Sequence, residues 1–164
     1  MKSILFLFLL TALVAPQEKE ITLWMIGDST MSVKQTTAYP ETGWGMPFVY
    51  FWDESVKVDN RAMNGRSTSS FRSEGRWDPV WEGMKEGDYV FIQFGHNDEV
   101  ITKATYTTER DFKANLNRFV EETRSKKAIP VLLTPVARRK FNESDKVIGT
   151  HDVYSQLVRQ LAMG

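Results

Sequence analysis

The fold of this chain is decided by residues 21–30, which read ITLWMIGDST. The first six of these residues form a short, mostly apolar run, which is typical of a strand buried in a parallel sheet. The next four predict that the strand ends in a turn at the mouth of a helix. Ser29 would then lie at the carboxyl end of a strand, where open α/β sheets bind ligands. We therefore take Ser29 as a candidate nucleophile beside the free N–H groups of a helix N-terminus.

Further strands and helices alternate along the chain. Apolar runs predict strands at Tyr89–Phe94 and Ile129–Thr134, and the alternation of Val56 and Val58 predicts another, weaker strand at Ser55–Asp59. Helical spacing predicts helices at Trp44–Trp52, at Pro79–Met84, behind a Thr108-x-x-Asp111 capping box, and at His151–Met163. This alternation favours a doubly wound α/β sandwich. Because no strand follows the last helix, we expect the sheet to present an uncovered hydrophobic edge.

Composition limits the classes of function. The chain has 164 residues, enough for one domain and too few for two. Its formal net charge is zero, which argues against a nucleic-acid or membrane-surface partner held by charge. It has no cysteine, which excludes disulfides, thiolate metal sites and a cysteine nucleophile.

The amino terminus resembles an export signal. Lys2 precedes an apolar run from Ile4 to Val14, which is too short to span a bilayer, since spanning needs roughly 20 apolar residues. We interpret residues 1–17 as a signal peptide and residues 18–164 as the domain, exported to a periplasm or outside the cell. The alternative is that this run is a buried strand or helix.

Three polar stretches each follow a predicted strand, and they contain Ser29, Gly65 and Asn97. Parallel strands bring such stretches to one edge of the sheet. Acyl transfer needs a nucleophile and hydrogen-bond donors for the oxyanion that forms on the attacked carbonyl. The backbone N–H groups of Ser29 and Gly65 and the side-chain amide of Asn97 are candidate donors. The alternative for Asp28 and Ser29 is a purely structural helix cap.

The same stretches carry a resemblance to a known family. In chain order the matching blocks are Gly27-Asp28-Ser29-Thr30-Met31, Gly43-Trp44-Gly45, residues 60–71, Glu74-Gly75-Arg76-Trp77, Gly87-Asp88-Tyr89-Val90, residues 93–98 and Thr134-Pro135-Val136. In them the chain resembles the SGNH (GDSL-type) hydrolases, above all the branch of the rhamnogalacturonan acetylesterases. The resemblance implies a flavodoxin-like, three-layer α/β/α fold, an acetylated polysaccharide or oligosaccharide as substrate, and no metal or organic cofactor. It also implies that Ser29 is the nucleophile and that Gly65 and Asn97 are oxyanion donors.

The family's fourth block, an Asp-x-x-His near the carboxyl terminus, is not in this chain. In relatives its histidine takes the proton of the serine. The chain has two other histidines, of which we expect His96 to be structural and His151 to be a solvated cap or surface residue. We therefore expect a domain that lacks its last strand and helix, with little or no activity as written.

Three functions remain open at this point. The first is a secreted serine esterase that deacetylates plant cell-wall polysaccharide. The second is a non-catalytic fragment or carbohydrate-binding remnant, which the absent histidine favours. The third is a flavodoxin-like ligand-binding domain, which would need a phosphate-binding loop after the first strand, where Asp28 argues against an anion.

Overall fold

The structure, a computed structural model, describes residues 20–164, so the proposed signal peptide at residues 1–17 lies outside the described residues. The elements in order are β1 (Ile21–Gly27), α1 (Gly45–Phe48), β2 (Val56–Asn60), α2 (Thr68–Ser73), α3 (Asp78–Gly83), β3 (Tyr89–Gln93), α4 (Glu109–Ser125), β4 (Ile129–Leu133) and α5 (Asp152–Met163). Two short 3₁₀ turns lie at Thr36–Ala38 and Val49–Phe51. Each of the four predicted strands is confirmed to within one residue at either end.

The four strands form one parallel sheet in the order β2-β1-β3-β4. The α/β prediction is confirmed, and this order is that of the first four strands of a flavodoxin-like sheet. At the end of β1, Gly27 lies opposite Gln93 of β3. A Cβ on Gly27 would lie 2.6 Å from the Gln93 carbonyl oxygen, so this close approach of the two strand ends requires glycine. The carboxyl ends of β1, β2 and β3 therefore share one edge.

One face of the sheet is closely packed by α2, α3, α4 and α5. Phe119 of α4 is fully buried at its centre, stacked on Phe94 with ring centroids 5.9 Å apart and meeting Trp77 edge-on at 4.9 Å. The Arg72 guanidinium lies 4.2 Å from the Phe119 ring centroid. Aromatic groups of this size dominate the burial energy of a core, so this face holds most of the fold's stability.

The opposite face is covered only in part, by α1 and the turn that follows it. Trp44 and Phe48 pack there edge-to-face at 5.3 Å, against the smaller cluster around Met25. Beside them an apolar groove of about 380 Å³ runs over β1, β3 and β4, with Phe91 and Val131 in its lining. The predicted hydrophobic edge corresponds to the edge strand β4, where Ile129 is exposed.

Helix α2 was not predicted from the sequence. Its start is fixed by a reciprocal capping box, in which Ser67 Oγ accepts from the Ser70 N–H at 3.2 Å and Ser70 Oγ accepts from the Ser67 N–H at 2.9 Å. Phe71 is the one apolar residue of this helix, so no period of apolar residues marks it in the sequence. Within residues 20–164, no helix has the length and apolar character needed to cross a membrane.

Candidate active site

The turn after β1 carries Ser29 and is held by the side chain before it. Asp28 Oδ1 accepts hydrogen bonds from the backbone N–H of Thr30 at 2.9 Å and from its hydroxyl at 2.8 Å. The Asp28 carbonyl accepts from the N–H groups three and four residues later, at 3.2 and 3.1 Å. The prediction that a helix begins at Ser29 is wrong, because the structure has a tight turn there. Side-chain bonds of this kind offer the backbone an alternative to a helix.

The loop after β2 runs beside the end of β1. The Met63 N–H donates to the Gly27 carbonyl at 3.0 Å, and Asn64 Oδ1 accepts from the Ser32 hydroxyl at 2.6 Å. Gly65 has a φ of +77°, in the region that favours glycine. Among the described residues beyond its chain neighbours, no atom lies within 4 Å of where its Cβ would be. Gly65 therefore borders open space next to the turn after β1.

Asn97, in the turn after β3, is buried and held in a defined orientation. Its Oδ1 accepts from Lys103 Nζ at 2.7 Å, and its Nδ2 donates to the Arg66 carbonyl at 3.0 Å. Lysine can only donate and a carbonyl can only accept, so these partners settle which end of the amide is which. One N–H of Nδ2 remains for a further acceptor.

Asp98 ties this turn to the start of α2. Its carboxylate accepts from the Thr68 N–H at 2.9 Å, the Thr68 hydroxyl at 2.6 Å and the Gly95 N–H at 3.0 Å. Burial raises the pKa of Asp98 to about 6, although the hydrogen bonds from Thr68 and Gly95 act in the opposite direction. In the sequence, Asp98 is noted only as part of a matching block. In the structure, its bonds to Thr68 and Gly95 explain why the short helix α2 is held against the turn after β3.

Hydrogen bonds link the three turns that carry the predicted site residues. Lys34 Nζ donates to the Ser29 carbonyl at 2.6 Å and to the side-chain oxygen of the residue before Gly65 at 2.8 Å. The carbonyl of the residue after Gly65 accepts the bond from Asn97. The turns after β1, β2 and β3 are therefore joined on both sides of Gly65.

Neither histidine is hydrogen-bonded to Ser29 in the described part of the chain. His96 Nε2 lies 2.9 Å from an Arg138 guanidinium nitrogen, and since arginine only donates, Nε2 must be the acceptor. Burial lowers the pKa of His96, and the charge of Arg138 lowers it further, against a smaller opposite effect of Asp28. The ring of His96 is thus a neutral imidazole, and its Nε2 lone pair accepts the hydrogen bond from Arg138.

His151 is buried, so its prediction as a solvated or surface residue is wrong. Its ring lies 4.9 Å from that of His96, and its Nδ1 lies 2.7 Å from Glu99 Oε2, in a contact whose angles are poor for a hydrogen bond. Its backbone has a φ of +64° at the start of α5. The left-handed cap turns the side chain inward, and no sequence pattern indicates this.

Two polar side chains in the site were missed by the sequence reasoning. One is Lys34, which has no motif around it. The other is Gln93, buried at the end of β3, whose Oε1 accepts from Trp44 Nε1 at 2.7 Å and whose Nε2 donates to the Thr134 carbonyl at 3.0 Å. A single polar residue that ends an otherwise apolar strand is the signal that could have found Gln93. Within residues 20–164, no group of three or more histidine, aspartate or glutamate side chains is placed to hold a metal ion.

Comparison with known proteins decides the family. Residues 25–164 match the model of the GDSL-like lipase/acylhydrolase family. The chain belongs to this family. It is therefore an enzyme by family, and this is the family that the serine, glycine and asparagine blocks indicated.

Among curated proteins, the chain is 40% identical over 147 residues to rhamnogalacturonan acetylesterase RhgT of Bacillus subtilis, covering 88% of this chain and 62% of that one. It is 35% identical over 118 residues to the probable rhamnogalacturonan acetylesterase YesY of the same organism, covering 71% of this chain and 54% of YesY. The chain thus spans about three-fifths of the length of RhgT and about half that of YesY.

Solved structures share the fold. Protein YxiM of Bacillus subtilis superposes with a TM-score of 0.77 at 25% identity, over 88% of this chain and 41% of YxiM. A catalytic mutant of Axe2, an acetylxylan esterase from Geobacillus stearothermophilus, superposes with a TM-score of 0.67 at 22% identity, over 90% of this chain and 74% of Axe2.

Proposed function

We propose that this chain carries the serine and oxyanion-binding part of an esterase that removes acetyl groups from polysaccharide, with rhamnogalacturonan as the first candidate substrate. Family membership and the acetylesterase relatives support the reaction class. The single observation that carries the proposal is the meeting of three strand-end turns, with Ser29, Gly65 and Asn97 on them, beside the open space at Gly65.

In this proposal the Ser29 hydroxyl oxygen attacks the carbonyl carbon of an acetyl ester while its proton passes to a general base. The negative charge on the former carbonyl oxygen is met by the N–H groups of Ser29 and Gly65 and by Asn97 Nδ2. The sugar hydroxyl leaves with a proton, and water then hydrolyses the acetyl-serine. Asn97 suits this role because Lys103 and the Arg66 carbonyl already fix its amide.

The 164-residue polypeptide by itself should turn over slowly. A general base must come within roughly 2.6–3.2 Å of the proton that it takes, and neither histidine is hydrogen-bonded to Ser29 in the described part of the chain. Serine hydrolases that lack members of the triad retain roughly 10³–10⁴-fold acceleration over water from oxyanion binding and positioning. We expect residual activity of that order.

The test supplies the base as free imidazole. Hydrolysis of 4-nitrophenyl acetate is measured at increasing imidazole for the wild-type chain and for Ser29→Ala, which keeps every other group. We expect the wild-type rate above that of Ser29→Ala to rise and saturate with imidazole, and mass spectrometry to find the acetyl group on Ser29. Equal rates for both proteins at all imidazole concentrations would refute the assignment of Ser29 as the nucleophile.

The substrate class is tested separately by acetate release from acetylated rhamnogalacturonan and acetylated xylan. Faster release from rhamnogalacturonan, dependent on Ser29, supports the branch indicated by RhgT and YesY. Faster acetate release from xylan would support the proposed esterase reaction but would make acetylated xylan, and not rhamnogalacturonan, the preferred substrate.

A second candidate function is carbohydrate binding without turnover. The observation that favours it is the absence of a hydrogen-bonded base on the Ser29 hydroxyl in the described part of the chain. Calorimetry with acetylated oligosaccharides tests this function. If it is correct, the wild type and Ser29→Ala should bind with the same affinity, and no acetate should be released at any imidazole concentration.

We also propose export, on the basis of Lys2 and the apolar run at residues 4–14. Expression of the gene in its own host, followed by amino-terminal sequencing of the exported protein, should find a terminus between Ala12 and Gln17. A protein that stays in the cytoplasm and still begins with Met1 would refute the export proposal.

A further inference from the structure

We propose that Lys34 is a positioning residue that sets the distance between the turn of Ser29 and the loop of Gly65. Its contribution to catalysis rests on the function proposed above, whereas its effect on the two loops does not. Lys34 lies in the loop behind the β1 turn, five residues after Ser29, and belongs to no sequence motif.

The burial of Lys34 is unusual for a lysine. Its side chain is 2% exposed, although lysine is almost never fully buried unless it is paired. An ammonium group has three N–H donors. The ammonium donates hydrogen bonds to the Ser29 carbonyl at 2.6 Å and to Asn64 Oδ1 at 2.8 Å, and it forms an ion pair with Glu41 Oε1 at 2.9 Å.

These three partners belong to three separate segments. Ser29 is in the turn after β1, Asn64 is in the loop after β2, and Glu41 is in the loop before α1. One buried charge therefore cross-links the two turns that carry the proposed nucleophile and the proposed donor Gly65. Charged hydrogen bonds are roughly twice as strong as neutral ones, so this link should dominate over the neutral bond from Ser32 Oγ to the same Asn64 oxygen.

The position of this ammonium has a consequence for the reaction. Asn64 immediately precedes Gly65, so fixing the Asn64 side chain fixes the peptide whose N–H we assign to the oxyanion. A donor helps only if it is already in place when charge develops. Loss of Lys34 should therefore slow the chemical step while leaving reagent binding nearly unchanged.

The absence of cysteine from the chain allows a sharp test. In Lys34→Cys the new thiol is the only one, and it can be alkylated in denaturant before refolding. Bromoethylamine forms a C–S bond with loss of bromide and restores an ammonium at nearly the length of lysine. Iodoacetamide forms a C–S bond with loss of iodide and leaves a neutral amide of similar size.

The kinetic measurement is the labelling of Ser29 by a fluorophosphonate with imidazole as base. The serine oxygen–phosphorus bond forms, fluoride leaves, and imidazole takes the proton. We expect the ammonium adduct to label at close to the wild-type maximal rate, and the neutral adduct to label about tenfold or more slowly at an unchanged half-saturating concentration. Lys57→Met, which removes an exposed lysine of β2, is the matched control and should label like wild type.

A second measurement does not need a reactive serine. Backbone ¹⁵N order parameters of Ser29 and Gly65 should be about 0.85 in the wild type and in the ammonium adduct, and should fall toward about 0.6 in the neutral adduct. If the wild-type Ser29 is not labelled even with imidazole, the proposed function fails, and the order parameters alone decide the role of Lys34.

Two results would overturn the proposal. The first is equal order parameters at Ser29 and Gly65 in both adducts. The second is equal labelling rates in both adducts below their melting temperatures, with only the melting temperature changed, since that would leave Lys34 with a role in stability alone.

Discussion

The two faces of the sheet differ in how fully they are packed, although the same four strands build both. On the α4 face, Phe71, Phe94, Phe112 and Phe119 are fully buried. On the α1 face, Tyr89 is 36% exposed and Trp52 is 40% exposed beside the apolar groove. Stability should therefore depend on one face far more than on the other. The proposed site lies at the carboxyl edge of the sheet, where its turns are joined by hydrogen bonds and by the charge of Lys34.

The largest effect should come from the packed face. Phe119→Ala removes the ring that Phe94, Trp77 and Arg72 all contact, and it should cost about 3–5 kcal/mol of unfolding free energy. Urea unfolding measures this cost. Phe91→Ala on the α1 face is the matched control, and we expect it to cost about 1–2 kcal/mol because that ring is only half-buried. Equal costs would show that the two faces contribute alike.

The next effect depends on pH, through Asp98 at the junction of the packed face and the site. Its folded pKa of about 6 lies above the 3.8 expected for the unfolded chain, so the folded state binds the proton more tightly. This group's contribution to stability is present below about pH 4 and is lost as pH rises through about 6. One pKa unit corresponds to roughly 1.4 kcal/mol, so the loss should reach about 3 kcal/mol.

The Asp98 titration is measured by the carboxyl ¹³C shift. Asp111 serves as an internal reference, because its hydrogen bonds from Thr108 and Arg110 lower its pKa from the ordinary value. We expect the Asp98 midpoint near 6 and the Asp111 midpoint below the ordinary value for an aspartate. A midpoint for Asp98 below that of Asp111 would mean that its hydrogen bonds outweigh its burial.

A smaller effect should come from the cap of α2. Ser67→Ala removes the acceptor for the Ser70 N–H and breaks the reciprocal pair, at a cost of about 1 kcal/mol. Urea unfolding gives the free energy. Ser73→Ala, at the other end of the same helix, is the control and should change it by less than about 0.5 kcal/mol. A cap loss no larger than that control would mean that the serine pair contributes little to the stability of α2.

The smallest effect should come from the open face. Tyr89→Ser shortens a partly exposed side chain in the groove and should change stability by less than about 1 kcal/mol. The same change should lower the fluorescence of a bound hydrophobic dye, because such dyes report exposed apolar surface. Unchanged dye binding together with a large loss of stability would show that the α1 face is a packed core that contributes to folding stability.

Much of the fold could be predicted because its signals are local. The central strands β1 and β3 are mostly apolar runs, and α4 has a capped start at Thr108 and an apolar stripe from Phe112 to Val120. Helix α2 could not be predicted, since its six residues are held by a serine pair and by the distant Asp98. His151 was placed wrongly because its burial depends on Glu99 and on a left-handed backbone that no periodicity reveals.

The sequence by itself determined the four strands, their parallel alternation with helices, and the family to which the chain belongs. It also determined that Ser29, Gly65 and Asn97 each follow a strand, because parallel strands must deliver their carboxyl ends to one edge. Their roles in catalysis stay a prediction. Only the tertiary structure decided that no helix begins at Ser29, that neither histidine is hydrogen-bonded to Ser29 in the described part of the chain, and that Lys34 and Arg66 link the three turns. The bonds from Lys34 to Asn64 and from Asn97 to Arg66 join residues 30 and 31 positions apart, and such pairings depend on the packing of the whole domain, which local pattern does not encode.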